Sequence, residues 1–84
     1  MGNMTVRFYG RLAEACGPTA EIPLEAQSCT IAELRNIIGQ RFPDMATDLT
    51  GPSVRAAVAD VMVPDDRSVS PGTEVEFFPI VSGG

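Results

Sequence analysis

The 84-residue sequence contains no histidine, no lysine and no tryptophan. Without histidine, the chain lacks the side chain that most often serves as a general base and as a metal ligand. All six basic residues are arginines scattered along the chain, and they face eleven acidic residues, so the formal net charge is −5. Because phosphate neutralisation needs a basic patch, this distribution disfavours nucleic-acid binding and favours a partner with a basic docking face. The absence of lysine also means that no side chain can accept an isopeptide link.

Cysteine is scarce as well, since only Cys16 and Cys29 are present, too few and too loosely placed for a disulfide scaffold. We interpret both as small apolar side chains rather than sulfur relays, because a reactive thiol needs a cationic neighbourhood. The adjacent Asp65 and Asp66 are interpreted as solvated turn residues rather than a cation site, and no metal is predicted. No apolar run reaches the ~18 residues of a membrane span, and no secretory signal pattern is present. We therefore expect a cytoplasmic protein without a membrane partner.

Short alternating segments predict a sheet. Residues 4–9 place Met4, Val6 and Phe8 on one side, with the period of two that is typical of a half-buried strand. Four further segments alternate in the same way or are bounded by turn residues: 20–24, 54–59, 61–63 and 73–79. Pro23 lacks an amide donor, which places part of the second strand at an edge of the sheet.

One strong helix signal stands between the second and third strands. Thr30 and Glu33 form a capping box, in which each side chain satisfies a free amide of the first helical turn. Behind the box, an apolar stripe recurs at helical spacing: Ile31, Leu34, Ile37 and Ile38. The pattern predicts a helix over 31–41 that ends before a proline. A shorter helical turn is predicted over 11–16, and 43–53 is predicted to be loop or a short turn.

The order strand, strand, helix, strand, short strand, strand predicts an α+β fold. A mixed sheet of four to five strands over one main helix buries a single apolar stripe and one sheet face economically. This order is that of the ubiquitin-like β-grasp fold, in which the last strand lies centrally beside the first. The predicted organisation is a β-grasp domain over residues 1–79 and a flexible C-terminal tail over 80–84.

The tail ends in Gly83 and Gly84. Two residues without β-carbons make a thin, flexible chain that can pass through a narrow channel. Extended, residues 82–84 span roughly 10 Å, which is enough to bring the terminal carboxylate into a partner's active site. A terminal glycine leaves that carboxylate unhindered toward adenylation and attack by a sulfur or amine nucleophile. The alternative is an inert, frayed terminus that is rich in glycine by chance.

The segment VEFFPIVSGG at 75–84 resembles the C-terminus of the MoaD family, the small sulfur-carrier subunit of molybdopterin synthase. The double phenylalanine, the proline and the closing glycine pair are its most specific marks. RFYGRLAE at 7–14, TIAELR at 30–35 and AVAD at 57–60 also resemble the family. The resemblance covers nearly the whole chain, although Ile80 stands where the family often has a second proline and Asp60 where it often has asparagine.

The resemblance implies a chemical role for the tail. A ubiquitin-activating-type enzyme would adenylate the Gly84 carboxylate with ATP, and no cofactor would be bound permanently. A sulfur donor protein would then displace AMP and leave a C-terminal thiocarboxylate. Val81, Ser82 and Gly83 would insert into the large catalytic subunit of molybdopterin synthase, where the sulfur passes to cyclic pyranopterin monophosphate during molybdenum cofactor biosynthesis. The chain would not be catalytic alone, and the family assembly is a heterotetramer.

A partner-binding surface is predicted beside the tail. If Val75 and Phe77 point inward, Phe78 points outward next to the active terminus, as a candidate hot spot for the large subunit and the activating enzyme. Phe78 folding back over the edge of the core is the alternative. The patch is predicted to extend over Pro79 and Ile80, and to Tyr9 and Arg11.

Three other functions stay open at this point. Sulfur carriers for thiamine or cysteine biosynthesis share the fold and the glycine pair. A ubiquitin-like protein modifier would be joined through its terminal glycine to lysines on target proteins. A plain adaptor would work without its terminal glycines.

Overall fold

A mixed sheet and one long helix form the body of the molecule, and the computed structural model describes residues 2–80. Its elements, in chain order, are β1 (Gly2–Phe8), α1 (Arg11–Cys16), β2 (Thr19–Leu24), β3 (Cys29–Thr30), α2 (Ile31–Arg41), a 3-10 turn (Pro43–Met45), α3 (Ala46–Thr50), β4 (Val54–Val58), β5 (Val61–Val63), β6 (Ser68–Val69) and β7 (Glu74–Pro79). The predictions for Val81, Ser82, Gly83 and Gly84 lie outside the described residues. Within residues 2–80, no helix is long and apolar enough to cross a membrane.

Five strands form the main sheet in the order β2-β1-β7-β4-β5. Strands β1 and β7 are parallel, and the other neighbouring pairs are antiparallel. The last strand is therefore central and adjacent to the first, as the predicted β-grasp order requires. β2, which carries Pro23, is an edge strand, so its missing amide costs no interstrand hydrogen bond in the interior of the sheet.

The core lies between α2 and the inner face of the sheet. Alternation places Met4 and Val6 of β1 and Val75 and Phe77 of β7 on that face, all fully buried. From the helix, three residues of the apolar stripe are also fully buried: Ile31, Leu34 and Ile38. Burial of each large apolar side chain contributes about 1.5–3 kcal/mol relative to its exposed state.

The start of α2 forms the predicted capping box. The Thr30 hydroxyl accepts a hydrogen bond of 3.1 Å from the Glu33 amide, and the Glu33 carboxylate accepts one of 2.8 Å from the Thr30 amide. The backbone of the β5–β6 connection satisfies two further amides of the first turn. The Ile31 amide donates to the Arg67 carbonyl and the Ala32 amide to the Asp65 carbonyl, both at 3.0 Å.

Two parts of the fold differ from the prediction. Segment 43–53, predicted as loop or a short turn, contains the 3-10 turn and α3. α3 forms because it buries Leu49 and packs closely on α2, where a β-carbon added at Gly39 would lie 3.3 Å from that of Ala46. The second difference is a separate two-stranded sheet of β3 and β6, with Cys29 opposite Val69.

Candidate functional site

The outer face of the sheet, away from α2, carries a cluster of apolar side chains close to where β7 ends. Because side chains alternate along a strand, residues out of phase with buried Phe77 lie on this face. Ala57 of β4 stands opposite Glu76 of β7 on one side and opposite Met62 of β5 on the other. Sheet pairing therefore gathers residues that are distant in the sequence.

These residues surround a shallow depression of about 450 Å³, which we call the outer-face depression. Its lining is Tyr9, Ala57, Asp60, Met62, Glu76 and Phe78. Tyr9 and Met62 are 44% and 55% exposed, which is high for large apolar side chains. An apolar depression with carboxylates at its margin suits a partner that presents an apolar side chain next to a basic group.

Tyr9 is fixed in place by a neighbour on β7. Its hydroxyl donates a hydrogen bond of 2.8 Å to the Glu76 carboxylate. That bond favours the protonated phenol, so it raises the pKa of Tyr9 above its ordinary value of 10.0. One step along the same strands, the Arg7 guanidinium donates to Glu74 at 2.8 Å, which raises the pKa of Arg7. These cross-strand pairs tie the outer surface of β1 to that of β7.

Phe78, Pro79 and Ile80 mark the path of the chain out of the sheet. Phe78 faces outward, as alternation predicts, and it is partly buried within the outer-face depression. Pro79 ends β7 close to the backbone of Gly10, where an added β-carbon would lie 3.0 Å from the proline ring. The Ile80 amide donates a hydrogen bond of 2.7 Å to the Ser53 carbonyl, and its residue is 38% exposed. Pro79 and Ile80 together are called the tail root.

Arg11 lies apart from these residues. It is the first residue of α1, is exposed, and its guanidinium nitrogen is 3.8 Å from a carboxylate oxygen of Asp48. An exposed pair of this length contributes little to stability. The structure therefore brings Tyr9 and Phe78 together in the outer-face depression, places Pro79 and Ile80 at the tail root, and leaves Arg11 in an ion pair with α3.

Neither cysteine lies on the surface. Cys16 and Cys29 are both buried and free. Burial raises the pKa of each thiol, and the charge of Glu33 adds to the effect at Cys29. Both therefore stay protonated at neutral pH, which suits apolar packing. Among residues 2–80, no group of three or more acidic, cysteine or histidine side chains is placed to hold a metal ion.

Sequence reasoning missed two side chains. Met62 reads as core or loop filler from its position, yet it lines the outer-face depression. Arg35 lies in the core at 6% exposure, and its guanidinium donates to Asp65 at 3.0 Å. Asp65 itself is exposed, as expected of a turn residue, but one of its carboxylate oxygens also accepts this hydrogen bond, which the sequence did not predict. The spacing contained a signal for Arg35, because a residue four after Ile31 falls on the buried face of the helix.

The chain is similar in sequence to known small sulfur-carrier proteins. The family model of the ThiS family matches residues 6–84 of the chain. The molybdopterin synthase sulfur carrier subunit of Haemophilus influenzae is 30% identical over 81 residues, which cover 96% of this chain and 99% of that protein.

Solved structures share the fold at lower identity. SAMP1, the small archaeal modifier protein 1 of Haloferax volcanii, superposes with a TM-score of 0.83 at 20% identity and covers 99% of this chain and 100% of its own. A putative molybdopterin converting factor subunit 1 of Pyrococcus furiosus gives 0.79 at 22% identity, with 96% and 100% covered. These likenesses show the ubiquitin-like β-grasp fold. The match over residues 6–84, together with the 30% identical relative, shows that the chain belongs to the ThiS family, as a ubiquitin-like sulfur carrier of the MoaD/ThiS type.

Proposed function

We propose that this chain is the sulfur-carrier subunit of a molybdopterin synthase. The observation that carries the proposal is the 30% identity to a molybdopterin synthase sulfur carrier subunit over 81 residues, which are 96% of the chain. The absence of histidine and the lack of a metal cluster in residues 2–80 are compatible with a chain that carries the reacting group and leaves catalysis to a partner.

The chemistry takes place at Gly84. An oxygen of its carboxylate attacks the α-phosphorus of ATP on an activating enzyme, and pyrophosphate leaves. Sulfide-level sulfur released by a donor then attacks the acyl carbon and displaces AMP, and loss of the remaining proton leaves a terminal thiocarboxylate. The large catalytic subunit accepts the tail through Val81, Ser82 and Gly83, and its side chains direct the sulfur to cyclic pyranopterin monophosphate.

The folded domain supplies recognition in this proposal. The outer-face depression lies on the sheet that ends at the tail root, so a partner can hold the domain and receive the tail at the same time. Phe78 is the anchor, because aromatic residues at the centre of an interface contribute most of the binding energy. Tyr9 and Met62 extend the apolar contact beside it.

Intact-mass measurement tests the first half of the mechanism. The protein is produced with and without an activating enzyme and a sulfur donor. We expect a gain equal to the mass difference between sulfur and oxygen only when both are present. Deletion of Gly84 abolishes the gain, whereas Ser82→Ala, a matched change in the same tail, preserves it. Unaltered sulfur loading after deletion of Gly84 contradicts the proposal.

The acceptor is tested by reconstitution. Thiocarboxylated protein is mixed in parallel with the molybdopterin synthase large subunit and its pterin precursor, and with acceptors of thiamine and cysteine biosynthesis. We expect transfer to the pterin alone. Reductant-resistant conjugates of higher mass on immunoblots of cell extract identify a protein modifier instead, and full activity after removal of Gly83 and Gly84 identifies an adaptor.

A further inference from the structure

Arg35 is the one charged side chain in the core among residues 2–80. It extends from the buried face of α2, and only 8% of its side chain is exposed. Withdrawal of a guanidinium from water is costly unless its donors find acceptors. The groups that Arg35 contacts therefore identify what this residue holds in place.

Two of those groups are backbone carbonyls at the end of α3. A terminal nitrogen of Arg35 donates to the Leu49 carbonyl at 2.7 Å, and the same nitrogen lies 3.4 Å from the Gly51 carbonyl. The last carbonyls of a helix lack intrahelical donors, so Arg35 satisfies the buried carbonyl of Leu49 and, at longer range, the partly buried carbonyl of Gly51. On its other edge, the guanidinium is held by Asp65 at 3.0 Å. Arg35 thus fixes the first residue of the link from α3 to β4.

That link leads directly to the tail root. Pro52 follows Gly51 and restricts the backbone through its ring. Ser53 comes next, and its carbonyl accepts the 2.7 Å hydrogen bond from the Ile80 amide. Only Pro52 therefore separates Gly51, whose carbonyl accepts from Arg35, from Ser53, whose carbonyl accepts from the Ile80 amide.

Arg35 also contacts Phe77 of β7. Its guanidinium carbon lies 5.5 Å from the centroid of the Phe77 ring, in cation–π geometry. Phe77 is fully buried and lies three residues before Ile80. The residue therefore supports both the strand that leads to the tail root and the link that receives its last hydrogen bond.

We propose that Arg35 is a positioning residue for sulfur transfer, which fixes the place and direction in which the chain leaves the sheet at Ile80. The inference rests on the proposed sulfur-carrier function. A fixed root narrows the volume that the terminal group samples and raises its effective concentration in the partner's active site. Lysine cannot replace Arg35, because a single ammonium lacks the planar fork that holds Asp65 and the Leu49 carbonyl together.

Hydrogen exchange followed by NMR gives a direct test on the isolated protein. Arg35→Lys is compared with Arg41→Lys, a matched change at an exposed position of the same helix. We expect the Ile80 amide of Arg35→Lys to exchange about tenfold faster relative to the Phe77 amide, since only the local opening changes. An equal acceleration of both amides means global destabilisation and overturns the proposal.

Single-turnover transfer from preloaded thiocarboxylate to the pterin precursor gives the functional test. With the large subunit saturating, we expect Arg35→Lys to lower the rate about tenfold, because a misplaced reacting group loses rate steeply. The dissociation constant of the complex stays unchanged, since Arg35 does not line the outer-face depression. A rate equal to that of Arg41→Lys, or a loss explained by weaker binding, overturns the proposal.

A second variant covers the case in which Arg35→Lys does not fold. Asp65→Ala removes one acceptor of the Arg35 guanidinium at an exposed position without any change to the core, and unaltered exchange of the Ile80 amide in this variant overturns the proposal. We expect Asp65→Ala to accelerate exchange of the Ile80 amide and to leave that of Phe77 unchanged. Wild-type protein that fails to transfer sulfur refutes the proposed function, whereas the exchange measurement still decides the role of Arg35.

Discussion

The hydroxyl of Tyr9, just beyond β1, donates a 2.8 Å hydrogen bond to the carboxylate of Glu76 on β7. The two residues lie 67 positions apart in the sequence, and they meet because β1 and β7 are parallel neighbours at the centre of the sheet. The bond orients the phenol ring along the margin of the outer-face depression. It therefore links the hydrogen-bonded sheet to the surface proposed for recognition.

The titration of Tyr9 tests this bond. Tyr9 is the only tyrosine and no tryptophan is present, so phenolate absorbance reports this residue alone. We expect a midpoint above 10.0 in the wild type, and a midpoint closer to 10.0 in Glu76→Gln. Folding raises the pKa of Tyr9, so the bond to Glu76 stabilises the fold fully at a pH below the pKa of the unfolded tyrosine. That stabilisation is lost as the pH rises through the pKa of the folded tyrosine. Identical midpoints in the two proteins contradict the assignment.

Loss of the capping box is expected to weaken the whole domain. Thr30→Ala removes the acceptor for the Glu33 amide, and we expect it to lower the free energy of unfolding by about 1 kcal/mol. For a domain of this size the melting temperature then falls by about 4–8 °C. The matched control is Thr50→Ala, whose hydroxyl donates to the Ala46 carbonyl within α3 and replaces no helix cap. Urea unfolding of both variants measures the difference, and equal stabilities refute the role of the box.

Met62 provides a test of the outer-face depression. Met62→Asp places a carboxylate beside Asp60 and Glu76 in an apolar contact, and we expect it to weaken binding of the large subunit at least about tenfold. Val61→Asp is the matched control, because Val61 lies on the same strand, is 62% exposed and does not line the depression. Calorimetric titration of each folded variant measures the affinity. Equal losses from both changes place recognition elsewhere.

The two buried thiols are expected to be inert in the native protein. Because burial raises the pKa of Cys16 and of Cys29, little thiolate forms near pH 8 and a reagent must await an opening of the fold. We expect slow reaction with a chromogenic disulfide in buffer and rapid reaction of both thiols in denaturant. Rapid native reaction of either thiol contradicts its buried placement. Sulfur transfer by a Cys16→Ala, Cys29→Ala double variant then excludes a relay role.

The sequence predicts the elements that have a long or sharply marked pattern. The Thr30–Glu33 box and the stripe behind it identify α2 from end to end, and alternation identifies the central strands. α3 escapes prediction because five residues contain hardly more than one helical turn, and its helicity comes from the burial of Leu49. β3 and β6 are not predicted because a strand of two residues is too short to show an alternating pattern.

In the candidate site too, a residue is predicted from the sequence when a local pattern places it, and is missed when only tertiary structure does. Alternation along β7 places Phe78 on the outer face, because that inference needs only one strand. Met62 is brought beside it by two successive strand pairings, β7 with β4 and β4 with β5. The two-residue turn at Ala59 and Asp60 sets the second register, but no local pattern encodes the first. Arg35 has a local signal in its helical spacing, but its acceptors at Leu49 and Asp65 are known only from the tertiary structure.

The burial of Cys16 and Cys29 has a consequence for a protein that carries an activated acyl group. Acyl adenylates react with amines and thiols, and this chain has no lysine amine anywhere and no exposed thiol among residues 2–80. The side chains that usually attack such a group are therefore missing or inaccessible, both for reaction within one molecule and for reaction between two copies. Under the proposed function, the activated terminus therefore meets no lysine amine and no exposed thiol on the described part of its own carrier, and water and the partner become its main acceptors.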